Sequence, residues 1–101
     1  MSVYVVVDIA IHDPVTYARY IEMAPPTIFQ YGGRYAVRGA TVTALEGSWK
    51  TARFVMLEFP TAERALAWWN SPEYAGPKAL RQSCATTNML LVEGPSLEPP
   101  K

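Results

Sequence analysis

The sequence predicts an α+β domain whose elements run β-α-β-β-α-β. Three observations predict it. Val3–Ile11 and Arg53–Phe59 are short apolar runs rich in β-branched and aromatic residues, the composition of buried strands. The stretches that open at Asp13-Pro14 and Pro60-Thr61 instead repeat apolar residues every three or four positions, the period of a helix. Between them, Gly32–Pro60 (GGRYAVRGATVTALEGSWKTARFVMLEFP) reads as a glycine-punctuated hairpin around which the rest is arranged.

The 101 residues make one domain over 1–94, followed by a proline-rich tail over 95–101 that is expected to be extended or disordered unless it docks on a partner. Half of the residues are apolar, enough for a core, although a chain this short gains from oligomerisation. Nine basic residues balance nine acidic ones and none form a run, which argues against nucleic acid and against an anionic membrane surface as partners. Cys84 is the only cysteine, so no internal disulfide forms. The first apolar run is broken by Asp8, lacks a basic leader and is too short for a signal peptide or a membrane span, so a soluble cytoplasmic protein is expected.

In Val3–Ile11, β-branched side chains fill one face, and the other is apolar apart from Asp8. A strand apolar on both faces is covered on both. Asp13 is placed to cap the first helix and Pro14 to open it. Tyr17, Ile21, Ala24, Ile28 and Tyr31 form its buried stripe. Pro25-Pro26 should kink or restart that helix near Met23–Pro26, and Gly32 suits the left-handed position beyond its end. The hairpin's first strand is expected over Arg34–Arg38, with a bend at Gly39 and a resumption over Thr41–Leu45. Its turn lies around Gly47–Ala52, and its second strand is Arg53–Phe59, where Val55, Leu57 and Phe59 share a face with Arg53. In the second helical stretch Thr61 is the cap, and Ala62, Ala65, Leu66 and Trp69 are the buried stripe. Ser71-Pro72 should stop it, a short turn should run through Tyr74, and Gly76-Pro77 should restart it over Lys78–Gln82. Thr87–Glu93 is the last strand.

This order is the split βαβ of ferredoxin-like folds, with an antiparallel sheet of order 4-1-3-2 and both helices on one face. Two helices cover only one side of such a sheet. The other apolar side must meet something, and the economical answer is a second copy, a homodimer through the sheet faces.

The residues Tyr31-Gly32-Gly33-Arg34-Tyr35, Arg38-Gly39, Leu45-Glu46-Gly47 with Trp49, and Leu57-Glu58-Phe59-Pro60 carry a resemblance. So do Ala67–Tyr74 (AWWNSPEY), Leu80-Arg81 and Leu90–Gly94 (LLVEG). Together they resemble the DUF1330 family of the dimeric α/β-barrel superfamily, over nearly the whole chain except the tail. The resemblance implies a ferredoxin-like protomer and a homodimer whose sheets close face to face, and no established activity. The wider superfamily includes cofactor-free monooxygenases and dehalogenase-like and isomerase-like enzymes. Ala40 stands where the family pattern commonly has a second glycine.

Two groups of residues are candidates for chemistry. By alternation Asp8, Arg38 and Glu58 are expected on the inter-sheet face, where buried charges need partners. There they form either an acid/base pair facing a ligand cavity or a structural ion-pair network at the dimer seam. Tyr74 and Arg81 are expected to close a pocket at the end of the sheet, with Trp68 at its rim or at an interface and Trp69 in the core. Plain packing is the competing account of these aromatics and of Trp49. His12 lacks the companion ligands a metal needs and reads as a surface residue. Cys84 reads as a small hydrophobe. No phosphate loop or nucleophile elbow is present, so no cofactor and no metal are expected. The functional reading is a homodimer that binds a small molecule, in its catalytic form a cofactor-independent enzyme acting on an apolar or carbonyl-bearing metabolite. The alternative is a non-catalytic structural or assembly module.

Overall fold

Val3, Val5, Val7 and Ile9 are all buried on one side of the first strand, and that face fixes the architecture. In the computed structural model, which describes residues 2–94, the strands are β1 (Val3–Ile11), β2 (Arg34–Ala40), β3 (Arg53–Phe59) and β4 (Ala85–Val92). The helices are α1 (Pro14–Gln30), α2 (Ala62–Trp69) and α3 (Pro72–Cys84). The sheet is antiparallel in the order β2-β3-β1-β4, the predicted order read from its other edge. Tyr17, Ala24, Ile28, Ala65, Trp68, Tyr74 and Cys84 from the helices join Val55, Leu57 and Phe59 in one core against this face. The proline-rich tail lies outside the described residues.

Both helical stretches are more continuous than their prolines predict. α1 runs unbroken through Pro25 and Pro26. Pro25 has no N–H to donate to the Ile21 carbonyl, the bond a helix needs there. Arg38 supplies a donor instead, its Nη2 lying 3.3 Å from the Ile21 oxygen. Pro77 likewise sits inside a continuous α3, buried in the core-facing side, and Ser71 caps this helix by accepting from the Tyr74 N–H at 3.1 Å. The expected stop at Ser71-Pro72 is found, with α2 and α3 joined at Asn70-Ser71, but the expected restart at Gly76-Pro77 is not.

The buried stripe of α2 is also rotated from the expected one. Ala65 and Trp68 are buried, Leu66 is half exposed and Trp69 is only partly covered. Trp68 takes the interior because its indole N–H finds a partner there. It donates to Thr27 Oγ1 at 3.0 Å, and the Thr27 hydroxyl donates to the Ala24 carbonyl at 2.7 Å. Its ring lies 4.1 Å from that of Tyr74, centroid to centroid. Trp69 instead carries the Lys78 ammonium 4.2 Å above its ring.

β2 carries two register shifts. Arg34 pairs with Glu58 and Tyr35 with Leu57, but Val37 pairs with Met56, so Ala36 is an extra residue. A second shift at Gly39 precedes the last pair, Ala40 with Phe54. Gly39 has φ +66°, a left-handed conformation that favours glycine at this bulge, and a Cβ there would push aside the Arg53 guanidinium 2.8 Å away. The predicted resumption of the strand over Thr41–Leu45 does not occur. Residues 41–52 form a loop that exposes Val42, Leu45 and Trp49. Gly32 takes the left-handed position after α1, as expected.

On the uncovered side of the sheet, Tyr4, Val6, Phe54 and Met56 are half-buried, and Leu90 and Val92 are exposed. Among the described residues no helix is long and apolar enough to cross a membrane.

Candidate functional site

The bulge at Ala36 decides which charges meet. Without an inserted residue, Arg34 and Arg38 would share a face. With it, Arg34 stays opposite Glu58 on the open face, and Arg38 turns with Tyr35, Leu57 and Val55 toward the helices. Arg53 pairs with Ile9 and faces the same way. α1 contributes Tyr17 and Tyr20 to this interior, and α3 contributes Tyr74 and Arg81.

These arginines and tyrosines meet in contacting groups, with the Tyr17 and Tyr20 rings 5.4 Å apart. The hydroxyls of Tyr20 and Tyr74 share a hydrogen bond of 2.8 Å. Arg81 Nε donates to Tyr74 Oη at 3.4 Å, and the Arg81 guanidinium lies 6.0 Å from the centre of the Tyr20 ring. The Arg53 guanidinium lies 5.7 Å from the Tyr17 ring centre, and that of Arg38 lies 4.5 Å from the Tyr35 ring centre. Arg81 is only 3% exposed. Arg53 Nε is buried and has no hydrogen-bond partner among the described residues. Among the described residues the one ion pair is Arg34–Glu58, on the opposite face of the sheet, so Arg38, Arg53 and Arg81 have no carboxylate within ion-pair distance. Burial pushes the Tyr20 phenol far above its ordinary value, with Tyr74 adding to the shift and Arg81 opposing it. Burial also raises Tyr17 and Tyr35, against the opposing charges of Arg53 and Arg38. All three phenols stay protonated at neutral pH and act as hydrogen-bond donors and acceptors.

Tyr17, Tyr20, Tyr35, Arg38 and Arg53 border a small space of about 30 Å³ between α1 and the sheet. Trp68 and Met89 also line it. The same two side chains bound an open apolar groove of about 300 Å³ between α2 and β4, completed by Val5, Leu66, Trp69 and Leu91.

The expected site residues thus divide between the two faces. Trp68, Tyr74, Arg81 and Arg38 come together on the helix side. Asp8 and Glu58 lie on the open side, so the expected meeting of Arg38 with Glu58 does not occur. Glu58 instead accepts from Arg34 Nε at 2.6 Å and from the Tyr4 hydroxyl at 3.4 Å. Asp8 accepts from Thr51 Oγ1 at the base of the 41–52 loop. Trp68 is core, not rim.

Arg53, Tyr20 and Tyr35 were not among the expected site residues. The signal for Arg53 was present: it shares its face with Val55, Leu57 and Phe59, an odd place for a cation. His12 is exposed and bonded to Thr86 Oγ1, and burial raises the Cys84 thiol. Among the described residues no group of three or more His, Cys, Asp or Glu is placed to hold a metal ion.

The topology and the single helical layer define a ferredoxin-like α+β protein. Within that class the chain belongs to the DUF1330 family: the profile described as "Domain of unknown function (DUF1330)" matches residues 2–95. No curated protein matches it. Among solved structures, RPA0582, a protein of unknown function from Rhodopseudomonas palustris, superposes with a TM-score of 0.77 at 16% identity, over 97% of this chain and 84% of that one. SnoaB, a cofactor-independent oxygenase from Streptomyces nogalater, superposes with a TM-score of 0.66 at 13% identity, over 98% of both chains. An uncharacterised NIPSNAP domain protein from Burkholderia xenovorans gives 0.58 at 14% identity, over 99% of this chain and 100% of that one. At these identities the likeness is one of fold.

Proposed function

We propose that this chain is a cytoplasmic homodimer that binds a small carbonyl-bearing molecule in the interior between its helices and its sheet. One observation carries the reading: Arg81 is buried to 3% exposure with phenols for company and, among the described residues, no carboxylate within ion-pair distance. A buried cation without a counter-ion costs several kcal/mol of solvation, roughly, and such a cost persists where the charge serves a ligand. Guanidinium and phenol donors beside a bound carbonyl are also what stabilises negative charge developing on its oxygen, and Arg38, Arg53, Tyr17, Tyr20 and Tyr35 border the space between α1 and the sheet. The site therefore suits chemistry in which the protein supplies electrostatics and no cofactor takes part. SnoaB, a cofactor-independent oxygenase, shares the fold, which supports this reading only by analogy. The open sheet face, lined by Tyr4, Val6, Phe54, Met56, Leu90 and Val92, is the surface for the second copy.

Titration of the purified protein with 1-tetralone, a bicyclic ketone, and with 2-naphthoate, a bicyclic acid, tests the reading. At least one is expected to bind saturably, once per protomer, and to bind more weakly in Arg81→Met, because Arg81 acts on the space through Tyr20, which borders it. The same variant separates a functional arginine from a structural one. Methionine is apolar and of similar length, so its melting temperature is expected to equal that of the native protein or exceed it by a few degrees. Absence of saturable binding by both compounds, or a large drop in melting temperature for Arg81→Met, overturns the proposal.

A further inference from the structure

The ligand class can be narrowed, on the basis of the small-molecule site just proposed. The 30 Å³ space is lined largely by apolar side chains, with half-buried Arg53 and exposed Arg38 on its border, and among the described residues the buried Arg53 Nε has no hydrogen-bond partner. Positive charge there is unopposed by any carboxylate within ion-pair distance among the described residues. A space of that size holds one or two waters, or one planar group of two oxygens. A groove ten times larger in volume is lined by apolar side chains, and Trp68 and Met89 are in the wall of both spaces. Methionine is unbranched and flexible, so Met89 is the part of that wall that can move aside.

We infer that the natural ligand is an anionic amphiphile: a planar oxyanion, either a carboxylate or an ionised enol, on a flat apolar body. The oxyanion lies against Arg53 and Arg38, where a guanidinium meets two oxygens in a fixed fork. The apolar body passes between Trp68 and Met89 into the groove between α2 and β4. Tyr17 and Tyr35 add phenol donors beside the head, and Trp69 and Leu66 cover the body.

Four probes test the assignment by calorimetry on the full chain: 2-naphthoate, its neutral isostere 2-naphthamide, the one-ring acid benzoate, and 1-tetralone. 2-Naphthoate is expected to bind about tenfold or more tighter than 2-naphthamide, because only the acid neutralises the arginines. It is expected to exceed benzoate by about tenfold, because only the larger body reaches the groove. Arg53→Met should abolish the preference for acid over amide. Leu66→Glu, at a half-exposed position on the groove rim, should bring 2-naphthoate down to the affinity of benzoate. If 2-naphthamide or 1-tetralone binds as tightly as 2-naphthoate, the ligand is not an anion, and small-molecule binding stands without it. If benzoate equals 2-naphthoate, the groove is not part of the site. If none of the four binds, this inference and the proposed function fall together. The comparison of acid with amide uses the native protein alone, so it holds even if Arg53→Met does not fold.

Discussion

Glu58 accepts from Arg34 Nε on the open face, and that bond, with help from Ser2 and Tyr4, holds its carboxyl below the ordinary value of 4.5. A carboxylate whose folded value is lowered contributes stability at pH above 4.5 and loses it as pH falls through the folded value. Arg34→Met should therefore flatten the acid limb of the stability profile, as thermal melts taken downward through the carboxylate range will show. Arg38→Met combined with Glu58→Leu should give strictly additive losses, because those side chains lie on opposite faces of the sheet. Measured coupling between Arg38 and Glu58 would contradict the bulge at Ala36. That bulge is also what the sequence hides. Alternation assigns faces by counting in twos, and one inserted residue reverses every assignment after it. Asp8, Glu58 and Arg53 were legible because β1 and β3 run without insertions; Arg38 was not.

At the level of single elements, β1 and β3 match their expected bounds residue for residue, since each is apolar on both faces and ends at a Pro or a turn. The helices were legible in position but not in continuity or rotation. Proline breaks a helix when nothing else satisfies the carbonyl it abandons, and a one-dimensional reading cannot see that Arg38 reaches back to Ile21. Nor can it see that Thr27 waits for the indole of Trp68 and not of Trp69. The Arg38–Ile21 bond makes a prediction. Pro25→Ala returns an N–H to α1 and should stabilise the protein by about 1–3 kcal/mol. In that background the cost of Arg38→Met should shrink, because the Ile21 carbonyl no longer depends on it. A double-mutant cycle from urea melts measures this; equal costs in both backgrounds would show that the guanidinium does not replace the missing bond.

At the scale of the molecule, one helical layer leaves one apolar sheet face without cover among the described residues, and the 41–52 loop adds exposed Val42, Leu45 and Trp49 beside it. If that face binds a second copy, the melting temperature should rise with protein concentration, and sedimentation at micromolar concentration should show two chains. A monomer with a concentration-independent melt would remove the homodimer from the proposal. The two rims of the sheet also differ in what they permit. β2, at one rim, is kinked by two bulges and carries Arg34 and Arg38, so it offers no regular ladder to a newcomer. β4, at the other, presents Ala85–Val92 with no proline and no charge. Among the described residues, lateral growth is then possible from one rim only, and rim-to-rim pairing of β4 with β4 consumes the one free ladder that these residues leave on each sheet. Such pairing closes on itself by twofold symmetry, which leaves a filament with no way to propagate through the sheets.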